Sequence, residues 1–153
     1  MYPIQLNLND KRVVVIGGGK IAYRKVKQIL KEDLGTLHII SKKFLPEFFE
    51  IEHPNVKLRT KCYDHTDIEG ADIIIAATND ASVNTQIKRD AKSYQWVNQT
   101  DNKTQSDFYN MREIEFDDIK LTFSSEGIDC RKVKHIAQAV ETFLNETYKE
   151  DKS

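Results

Sequence analysis

The glycine turn at residues 17–19 constrains the fold of this chain more than any other feature. It follows the β-branched run "KRVVVI", which alternates too little for a strand exposed on one face and so predicts a strand buried on both faces of a parallel sheet. From Lys20 onward apolar residues recur at helical spacing, and Gly35 is the predicted stop of that helix. The sequence therefore predicts a strand, a tight turn and a helix in succession.

The spacing Gly17-x-Gly19-x-x-Ala22 matches the G-x-G-x-x-G/A fingerprint of dinucleotide-binding turns. In that motif the first glycine permits the tight turn, and the second lets the backbone approach a pyrophosphate. The small third residue lets helix and strand pack closely. The start of the helix offers unpaired N–H groups and a partial positive charge to the phosphates. We therefore predict that the turn binds a dinucleotide, against the alternative that it only joins a strand to a helix.

The end of the second predicted strand lacks the acidic residue that usually holds the ribose 2′-hydroxyl. Ser41, Lys42 and Lys43 stand there instead. The two lysines either favour a 2′-phosphate, and hence NADP, or are ordinary exposed charges, so the residues leave the choice between NAD and NADP open. Because ligands bind at the carboxyl ends of the strands, these three residues are predicted beside the adenosine half and Thr78 nearer the nicotinamide half.

The rest of the chain continues the alternation of strands and helices. Further strands are predicted over residues 36–40, 55–60, 71–78, 94–98 and, after a polar loop, 119–125, with helices over 79–92 and from about 131 to 147. This order indicates an α/β fold, a Rossmann-like doubly wound parallel sheet. We predict a NAD-binding Rossmann domain over residues 1–110 and a short C-terminal strand-helix extension over 111–153 that mediates dimerisation.

Composition excludes several classes of protein. The 153 residues carry 23 Lys and Arg against 24 Asp and Glu, interspersed, so binding to nucleic acid through neutralised phosphates is not expected. No secretory signal and no apolar run long enough for a membrane span are seen. Cys62 and Cys130 are isolated, which predicts reduced thiols and a cytoplasmic protein. The four histidines lack metal-ligand spacing, so no metal site is predicted.

Four stretches, in this order and spacing, resemble the precorrin-2 dehydrogenase family, which includes the N-terminal domain of siroheme synthase. They are "VVVIGGGKIAYRKV", "IIIAATND", "VNQTDNKTQSDF" and "LTFSSEG", within a match from about Met1 to His135. The resemblance implies an enzyme that oxidises precorrin-2 to sirohydrochlorin with NAD on the route to siroheme. Some members also insert iron, so a bifunctional enzyme with sirohydrochlorin ferrochelatase activity is an alternative.

The resemblance also implies which residues form the site. Its cofactor contacts correspond to Gly17, Gly18, Gly19, Lys20, Ile21, Lys42 and Lys43. Its key acidic residue corresponds to Asp101. Its paired serines correspond to Ser124 and Ser125, which either contact substrate carboxylates or end a strand and cap the next helix. Four basic residues either contact the same carboxylates or are ordinary surface charges, namely Arg112, Arg131, Lys132 and Lys134.

Asp101 is the predicted catalytic residue. Dehydrogenation of a tetrapyrrole removes a hydride, which goes to the nicotinamide, together with a proton. A carboxylate at the crevice can take that proton or hold the pyrrole N–H groups. The alternative is that Asp101, in "QTDNKT", is only an Asx-turn residue. Asn98, at the end of the fifth strand, is predicted to contact or position the substrate, or to cap the strand.

Two departures from the family bear on these predictions. In the loop after the sixth strand, Glu126 and Asp129 replace a glycine and a serine, and such acids would repel a polyanion unless they point away. The chain also ends after one long helix, where the family usually continues into a helical domain. A short member must borrow a wall from a partner subunit or work poorly, because hydride transfer needs water excluded. We therefore predict a homodimer.

A non-catalytic, nucleotide-sensing regulatory module is the competing function. The missing ribose-binding acid and the short C-terminus favour it, and it predicts nucleotide affinity without turnover. The stretch "VNQTDNKTQSDF" argues against it, because a sensor has no need to match an active-site loop.

Overall fold

The computed structural model describes residues 1–148, which form two compact units. One unit spans residues 2–108, and the other contains residue 1 and the chain from residue 109 onward. The last five residues of the predicted extension, 149–153, lie outside the described residues. The elements of the larger unit are β1 (Leu8–Ile16), α1 (Lys20–Ile29), β2 (Leu34–Ser41), β3 (Val56–Thr60), β4 (Ile73–Ala76), α2 (Ala81–Asp90) and β5 (Trp96–Gln99). Three short 3₁₀ helices, Pro46–Glu50, His65–Ile68 and Lys103–Gln105, lie in its connections.

The five strands of the larger unit form one parallel sheet in the order β3-β2-β1-β4-β5. The chain builds the sheet outward from β1 to β3 and then crosses back to place β4 on the other side of β1. Ile16 pairs with Ile40 of β2 and Ala76 of β4, so the carboxyl ends of the three strands meet at one edge. This order is that of a Rossmann-like doubly wound sheet, and it confirms the predicted fold class.

The core lies on both faces of this sheet. Val13 and Val15 of β1 face one way and form a buried cluster with Val26 of α1. Val14 faces the other way and belongs to a second cluster with Ile87 of α2. Because every residue of the central strand is apolar from position 13 to 16, both faces of β1 are covered, as its sequence predicts.

The prediction that Gly35 stops the first helix is wrong. Helix α1 ends at Ile29, and Gly35 is the second residue of β2. A Cβ atom at Gly35 would lie 2.6 Å from the carbonyl oxygen of Lys11 and 2.9 Å from that of Asn9. The glycine is therefore required by the close approach of β2 to the backbone of β1, and not by a helix end.

The smaller unit contains a hairpin and a helix instead of the predicted single strand and helix. β6 (Arg112–Phe116) and β7 (Ile119–Phe123) pair antiparallel, and α3 (Cys130–Tyr148) follows. The hairpin turns through Asp117, whose φ is +53°. The predicted sixth strand is therefore real, but it pairs with a neighbour that we interpreted as a polar loop, and it does not join the parallel sheet.

The sequence of α3 predicts an apolar stripe of Val133, Ile136, Ala137, Val140 and Leu144, and the smaller unit buries only part of it. Ala137 is buried, whereas Ile136 is 44 % exposed and Phe143, outside the predicted stripe, is 58 % exposed. The remaining stripe residues, Val133, Val140 and Leu144, are half-buried. Among residues 1–148, no helix has the length and apolar character needed to cross a membrane.

Candidate functional site

Gly17 is the residue of the glycine turn that the fold itself requires. Its φ is +141°, and a Cβ atom there would overlap the carbonyl oxygen of Ala77, the residue directly after β4. The same atom would lie 3.3 Å from the Cβ of Ala22, so the small residue at the third motif position packs directly against the turn. The Gly17 N–H group donates to the carbonyl oxygen of Ile40 at 2.8 Å. These contacts fix the turn between β2 and β4.

Gly18 lies against the segment that follows β2. A Cβ atom at Gly18 would overlap the carbonyl oxygen of Lys43 and lie 2.8 Å from Ser41 Oγ. The N–H group of Leu45 donates to the carbonyl oxygen of Gly18 at 2.9 Å, and Ser41 Oγ donates to the carbonyl oxygen of Lys43 at 2.8 Å. The predicted adenosine-side residues are thereby packed onto the glycine turn, while the side chains of Lys42 and Lys43 are exposed.

Gly19 differs from its two neighbours because no atom of the other described residues lies within 4 Å of the position a Cβ atom would take. It is the N-cap residue of α1, its backbone is extended, and no side chain caps the helix. Lys20 and Ile21, the first two helical residues, are exposed. An uncapped helix start beside open space is what a pyrophosphate needs to approach the backbone N–H groups, so the residues present fit a dinucleotide.

The charges of α1 also favour an anion at the start of this helix. The helix has no acidic residue, and its cations are Lys20, Arg24, Lys25 and Lys27. Burial, and secondarily the charge of Arg24, lower the pKa of Lys25 to about 8. Because all charged residues of α1 are basic, they add positive potential to the partial charge at its N-terminus and favour an anion there.

Thr78, predicted on the nicotinamide side, is held in a network of internal hydrogen bonds. Its Oγ1 donates to Asn84 Oδ1 at 2.7 Å, and its N–H group donates to the same oxygen at 3.1 Å. Asn84 Nδ2 donates back to the carbonyl oxygen of Thr78 at 3.1 Å. Asn84 is fully buried, and we did not predict it. The signal that identifies it is a polar residue one turn before Ile87 on the buried face of α2.

The N-terminus of α2 is capped by the chain itself. Asp80 Oδ1 accepts from the N–H groups of Ser82 at 2.9 Å and Val83 at 3.3 Å, and from Ser82 Oγ at 2.5 Å. These hydrogen bonds, led by that from the Ser82 side chain, lower the pKa of Asp80, and the charge of Lys42 adds to the effect. The carboxylate therefore occupies the place that a ligand anion takes at an uncapped helix.

Asp101 lies in a loop that leaves β5 and is closed at its base. Asp107 Oδ2 accepts from the N–H group of Val97, and Asn98 Nδ2 donates to the carbonyl oxygen of Phe108. These four residues are the first two and the last two of the stretch "VNQTDNKTQSDF", and their hydrogen bonds hold the two ends of the loop together. Asp107 also pairs with Lys88 Nζ at 2.7 Å.

The tip of this loop presents the carboxylate of Asp101. Thr100 is fixed by its N–H group and by its Oγ1, both of which donate to the carbonyl oxygen of Ala76. The N–H group of Asn102 donates to the carbonyl oxygen of Gln99, which closes a turn around Asp101. Asp101 is exposed, and its carboxylate makes no hydrogen bond or ion pair within residues 1–148. The Asx-turn alternative therefore has no hydrogen bond to support it in the described chain.

Two buried amides adjoin the Asp101 loop. Asn98 and Gln99 are 4 % and 2 % exposed, and the Asn98 Oδ1 and Gln99 Oε1 atoms have no hydrogen-bond partner among residues 1–148. Gln99 lines a cleft of about 270 Å³ between α2 and the loop. The other residues that line the cleft are Thr85, Lys88, Arg89, Asn102 and Gln105. Unpaired polar atoms this deeply buried are uncommon. These two oxygens are hydrogen-bond acceptors close in the chain to the predicted catalytic residue.

Ser124 and Ser125 lie in the smaller unit, in the connection from β7 to α3. Each hydroxyl oxygen accepts a backbone hydrogen bond, Ser124 Oγ from Glu126 and Ser125 Oγ from Asp129. The two acids that depart from the family are also engaged. Glu126 pairs with the N-terminal amine of Met1 at 2.7 Å, and Asp129 Oδ1 accepts from the N–H group of Lys132 at 2.8 Å, which caps α3.

The larger unit brings most of the predicted site to one edge of its sheet. Along that edge follow, from β2 to β5, Ser41 with the lysines, the glycine turn, Thr78, and then Asn98 with Asp101. The reversal of strand order falls between β1 and β4, which is where a doubly wound sheet opens a crevice for ligands. Among residues 1–148, no group of three or more His, Cys, Asp or Glu side chains is arranged to hold a metal ion.

The fold and this edge define a dinucleotide-binding protein. The sequence model of a family described as NAD(P)-binding matches residues 4–111, and the chain belongs to that family. Within it, the chain is similar to proteins named precorrin-2 dehydrogenase, which confirms the resemblance predicted from the four stretches of sequence.

Three comparisons carry this similarity. The precorrin-2 dehydrogenase of Bacillus subtilis is 27 % identical over 146 residues, which cover 95 % of this chain and 90 % of that protein. The precorrin-2 dehydrogenase of Priestia megaterium is 26 % identical over 149 residues, which cover 97 % of this chain and 73 % of that protein. The solved structure of SirC, a precorrin-2 dehydrogenase, matches with a TM-score of 0.88 at 26 % identity, covering 98 % of this chain and 74 % of that chain.

Proposed function

We propose that this chain is an NAD-dependent precorrin-2 dehydrogenase, an oxidoreductase that converts precorrin-2 to sirohydrochlorin in siroheme biosynthesis. The observation that carries the proposal is the edge of the sheet, where an open, uncapped glycine turn follows one strand of the parallel sheet and the Asp101 carboxylate, which has no partner among residues 1–148, follows another. The similarity to precorrin-2 dehydrogenases over nearly the whole chain supplies the substrate.

The chain contributes binding and proton transfer to this reaction. The backbone N–H groups of Gly19, Lys20 and Ile21 are assigned to the pyrophosphate, because that helix start is uncapped. NAD, when bound, supplies the hydride acceptor. Asp101 is assigned the proton that leaves with the hydride, or the pyrrole N–H groups of the macrocycle, because its carboxylate is exposed and unpaired within the described residues.

Asn98 is assigned to positioning. Its Nδ2 donates to the carbonyl oxygen of Phe108 and so keeps the base of the Asp101 loop closed, while its buried Oδ1 has no partner in the part of the chain that the structure describes. We assign Ser124 and Ser125 to substrate carboxylates. Glu126 and Asp129 are paired with groups of their own unit, so their charges are partly compensated there.

We propose a homodimer that forms through α3. The exposed apolar side chains of Ile136 and Phe143 support this proposal, because large apolar residues on one helix favour burial in an isologous contact. Light scattering tests it: the wild-type chain is expected to be dimeric and the double variant Ile136→Asp/Phe143→Asp monomeric. We also place the protein in the cytoplasm, since Cys62 and Cys130 are both unpaired thiols.

The reaction is tested directly by incubating the protein with precorrin-2 and NAD and following the absorbance of sirohydrochlorin. Asp101→Asn removes the charge and the proton acceptor but preserves the shape, so we expect turnover to fall about 100-fold or more. NAD affinity should stay unchanged, because the glycine turn is untouched.

Asp33→Asn is the matched control, since this exposed aspartate lies after α1, at the opposite edge of the sheet. Full turnover by Asp101→Asn would contradict the catalytic assignment. A wild-type protein that binds NAD but does not oxidise precorrin-2 would instead support a nucleotide sensor.

A further inference from the structure

The cleft between α2 and the Asp101 loop is lined by polar side chains. Its volume is about 270 Å³, which is below the range of about 300–1,000 Å³ that drug-sized ligands occupy. Each of the six described residues that line it ends in a polar group, and none of the six is acidic. Two are cations, Lys88 and Arg89, and the others carry a hydroxyl or a carboxamide. The cleft therefore suits a small anionic group better than a cation or a whole ring system.

Arg89 is the uncompensated charge of this cleft. Lys88 Nζ pairs with both carboxylate oxygens of Asp107, at 2.8 Å and 2.7 Å, so its charge is balanced within the chain. The Arg89 side chain is exposed, and its guanidinium group makes no hydrogen bond or ion pair within residues 1–148. Because a guanidinium group offers two parallel N–H donors, it is matched to the two oxygens of a carboxylate. Among the described lining residues, one positive charge is therefore available to a ligand.

Gln99 places a buried carboxamide in the same cleft. It is 2 % exposed, its Oε1 has no hydrogen-bond partner among the described residues, and its Nε2 has none there either. Its backbone is fixed, because the N–H group donates to Ser106 Oγ at 2.9 Å and the carbonyl oxygen accepts from the same hydroxyl at 3.0 Å. A carboxamide at this depth costs free energy unless a ligand or water meets it. Its nitrogen can donate to an anion, while its oxygen can accept from water.

The cleft adjoins the predicted catalytic residue along the loop. Gln99 precedes Asp101 by two residues, Asn102 follows it directly, and both line the cleft. The backbone of Thr100 and of Asn102 is held by hydrogen bonds, so the fold sets the position of the cleft relative to the backbone of Asp101. A ligand group bound in the cleft would therefore orient the rest of that ligand relative to the Asp101 carboxylate.

We infer that this cleft is a subsite for one carboxylate arm of precorrin-2, with Arg89 and Gln99 as the residues that donate hydrogen bonds to it. The macrocycle is too large for the cleft and carries its carboxylates on flexible arms, so one arm can enter while the ring stays outside and faces Asp101. The inference rests on the proposed function in one respect, which is the identity of the substrate. It deepens that function by assigning an anchor for the substrate to Arg89.

Steady-state turnover with precorrin-2 varied at saturating NAD tests this inference. Arg89→Gln removes the charge and the paired donors, so we expect KM to rise about tenfold while kcat changes less than about twofold. This split follows because the arm is bound equally in the ground state and the transition state. Arg89→Lys keeps the charge without the paired donors, and its KM should lie between those of the wild type and Arg89→Gln.

Titration with sirohydrochlorin, followed by the fluorescence of its ring, measures binding without turnover. The product keeps the carboxylate arms, so Arg89→Gln should raise its Kd about tenfold. Gln99→Met keeps the length of the side chain and removes both unpartnered polar groups. It should raise the Kd about threefold while the melting temperature is maintained or raised, because a buried group without partners is lost. A purely structural role for Gln99 predicts the opposite, a lower melting temperature with an unchanged Kd.

Arg59→Gln is the matched control. It makes the same change at an exposed arginine of β3, the edge strand on the other side of the sheet, and should leave KM and Kd unchanged. If Arg89→Gln behaves like this control while the wild type oxidises precorrin-2, the inference is overturned and the proposed function stands. A fall in kcat with unchanged KM overturns it as well, because Arg89 would then act on the chemical step. If the wild type neither oxidises precorrin-2 nor binds sirohydrochlorin, both the inference and the proposed function fail.

Discussion

The larger unit contains two neighbouring strand-turn-helix segments, β1 to α1 and β4 to α2. They share one architecture but differ in whether a side chain caps the start of the helix. Strands β1 and β4 are hydrogen-bonded neighbours, and each leads through a short turn into a helix. After β4, Asp80 caps α2 with its own carboxylate. After β1, Gly19 leaves α1 without any side-chain cap and with open space in front of it.

The difference shows how a fold distinguishes a structural turn from a binding turn. Every helix start has N–H groups that need partners. In the β4 unit Asp80, supported by the Thr78–Asn84 hydrogen bonds, supplies them from within the chain. In the segment from β1 to α1, glycines stand where a capping side chain could be, so the N–H groups at the start of α1 are available to a ligand. The capped turn therefore stabilises the fold, and the uncapped one provides a site.

The largest effect on stability is expected from Gly17, because the fold requires a glycine at this position of the binding turn. Gly17→Ala forces an L-residue into a φ of +141° and places its Cβ against the backbone of Ala77. We expect the free energy of unfolding to fall by about 3 kcal/mol or more. Urea denaturation measures this loss. Gly19→Ala is the control and should cost far less, because its Cβ points into open space; equal losses at the two positions would contradict the assignment.

Gly19→Asp converts the binding turn into a copy of the capped one. Aspartate is a favourable N-cap residue, so the stability of the fold should be preserved or raised. Its carboxylate would occupy and repel the pyrophosphate site, and we expect the affinity for NAD to fall about 100-fold, a loss of about 2.7 kcal/mol.

Calorimetric titration measures this affinity, with Gly19→Ala again as the control that adds bulk without charge. If Gly19→Asp binds NAD as well as the wild type does, the nucleotide does not lie on this turn.

Asp80→Gly makes the opposite change and should have the smallest effect. It uncaps α2, so a modest decrease in melting temperature is expected at neutral pH, while NAD affinity should be unchanged. Because its hydrogen bonds lower the pKa of Asp80 in the folded protein, the stabilisation is present above the ordinary value of 3.8 and is lost as the pH falls through the lowered value.

Melting curves recorded from about pH 7 to about pH 2 check the sign of this effect. The wild type and Asp80→Gly should differ most near neutrality and converge in acid. Asp118→Asn, at an exposed aspartate of the hairpin turn, is the control. A difference that grows as the pH falls would show that the carboxylate does not act as the cap.

The residues that the sequence predicts well are those whose role depends on neighbours along the chain. The apolar runs of β1 and β4, the glycine turn and α1 are each recognisable within a few residues. The role of Gly35 could not be predicted because it depends on the backbone of β1, which is far away in sequence. Its position shortly after a helical pattern suggested a stop, and the tertiary contact overrode that local signal.

The hairpin of the smaller unit was missed for a related reason. Strand β6, "REIEF", buries only Ile114, so its alternation is hidden among charged residues, and its pairing with Leu121 of β7 does not show in either strand alone. In the site, Asn84 could have been found as a polar residue on a buried helix face, whereas the burial of Gln99 follows from packing that no local pattern reports.

The anchoring of the Asp101 loop has a further consequence for catalysis. With Thr100 tied to β4 and Asn102 tied back to Gln99, the backbone on either side of Asp101 is already immobilised before any ligand arrives. What remains for the substrate to order is the rotation of one short side chain. The loop therefore preorganises the carboxylate, and the entropic cost of aligning it is met during folding instead of during each turnover.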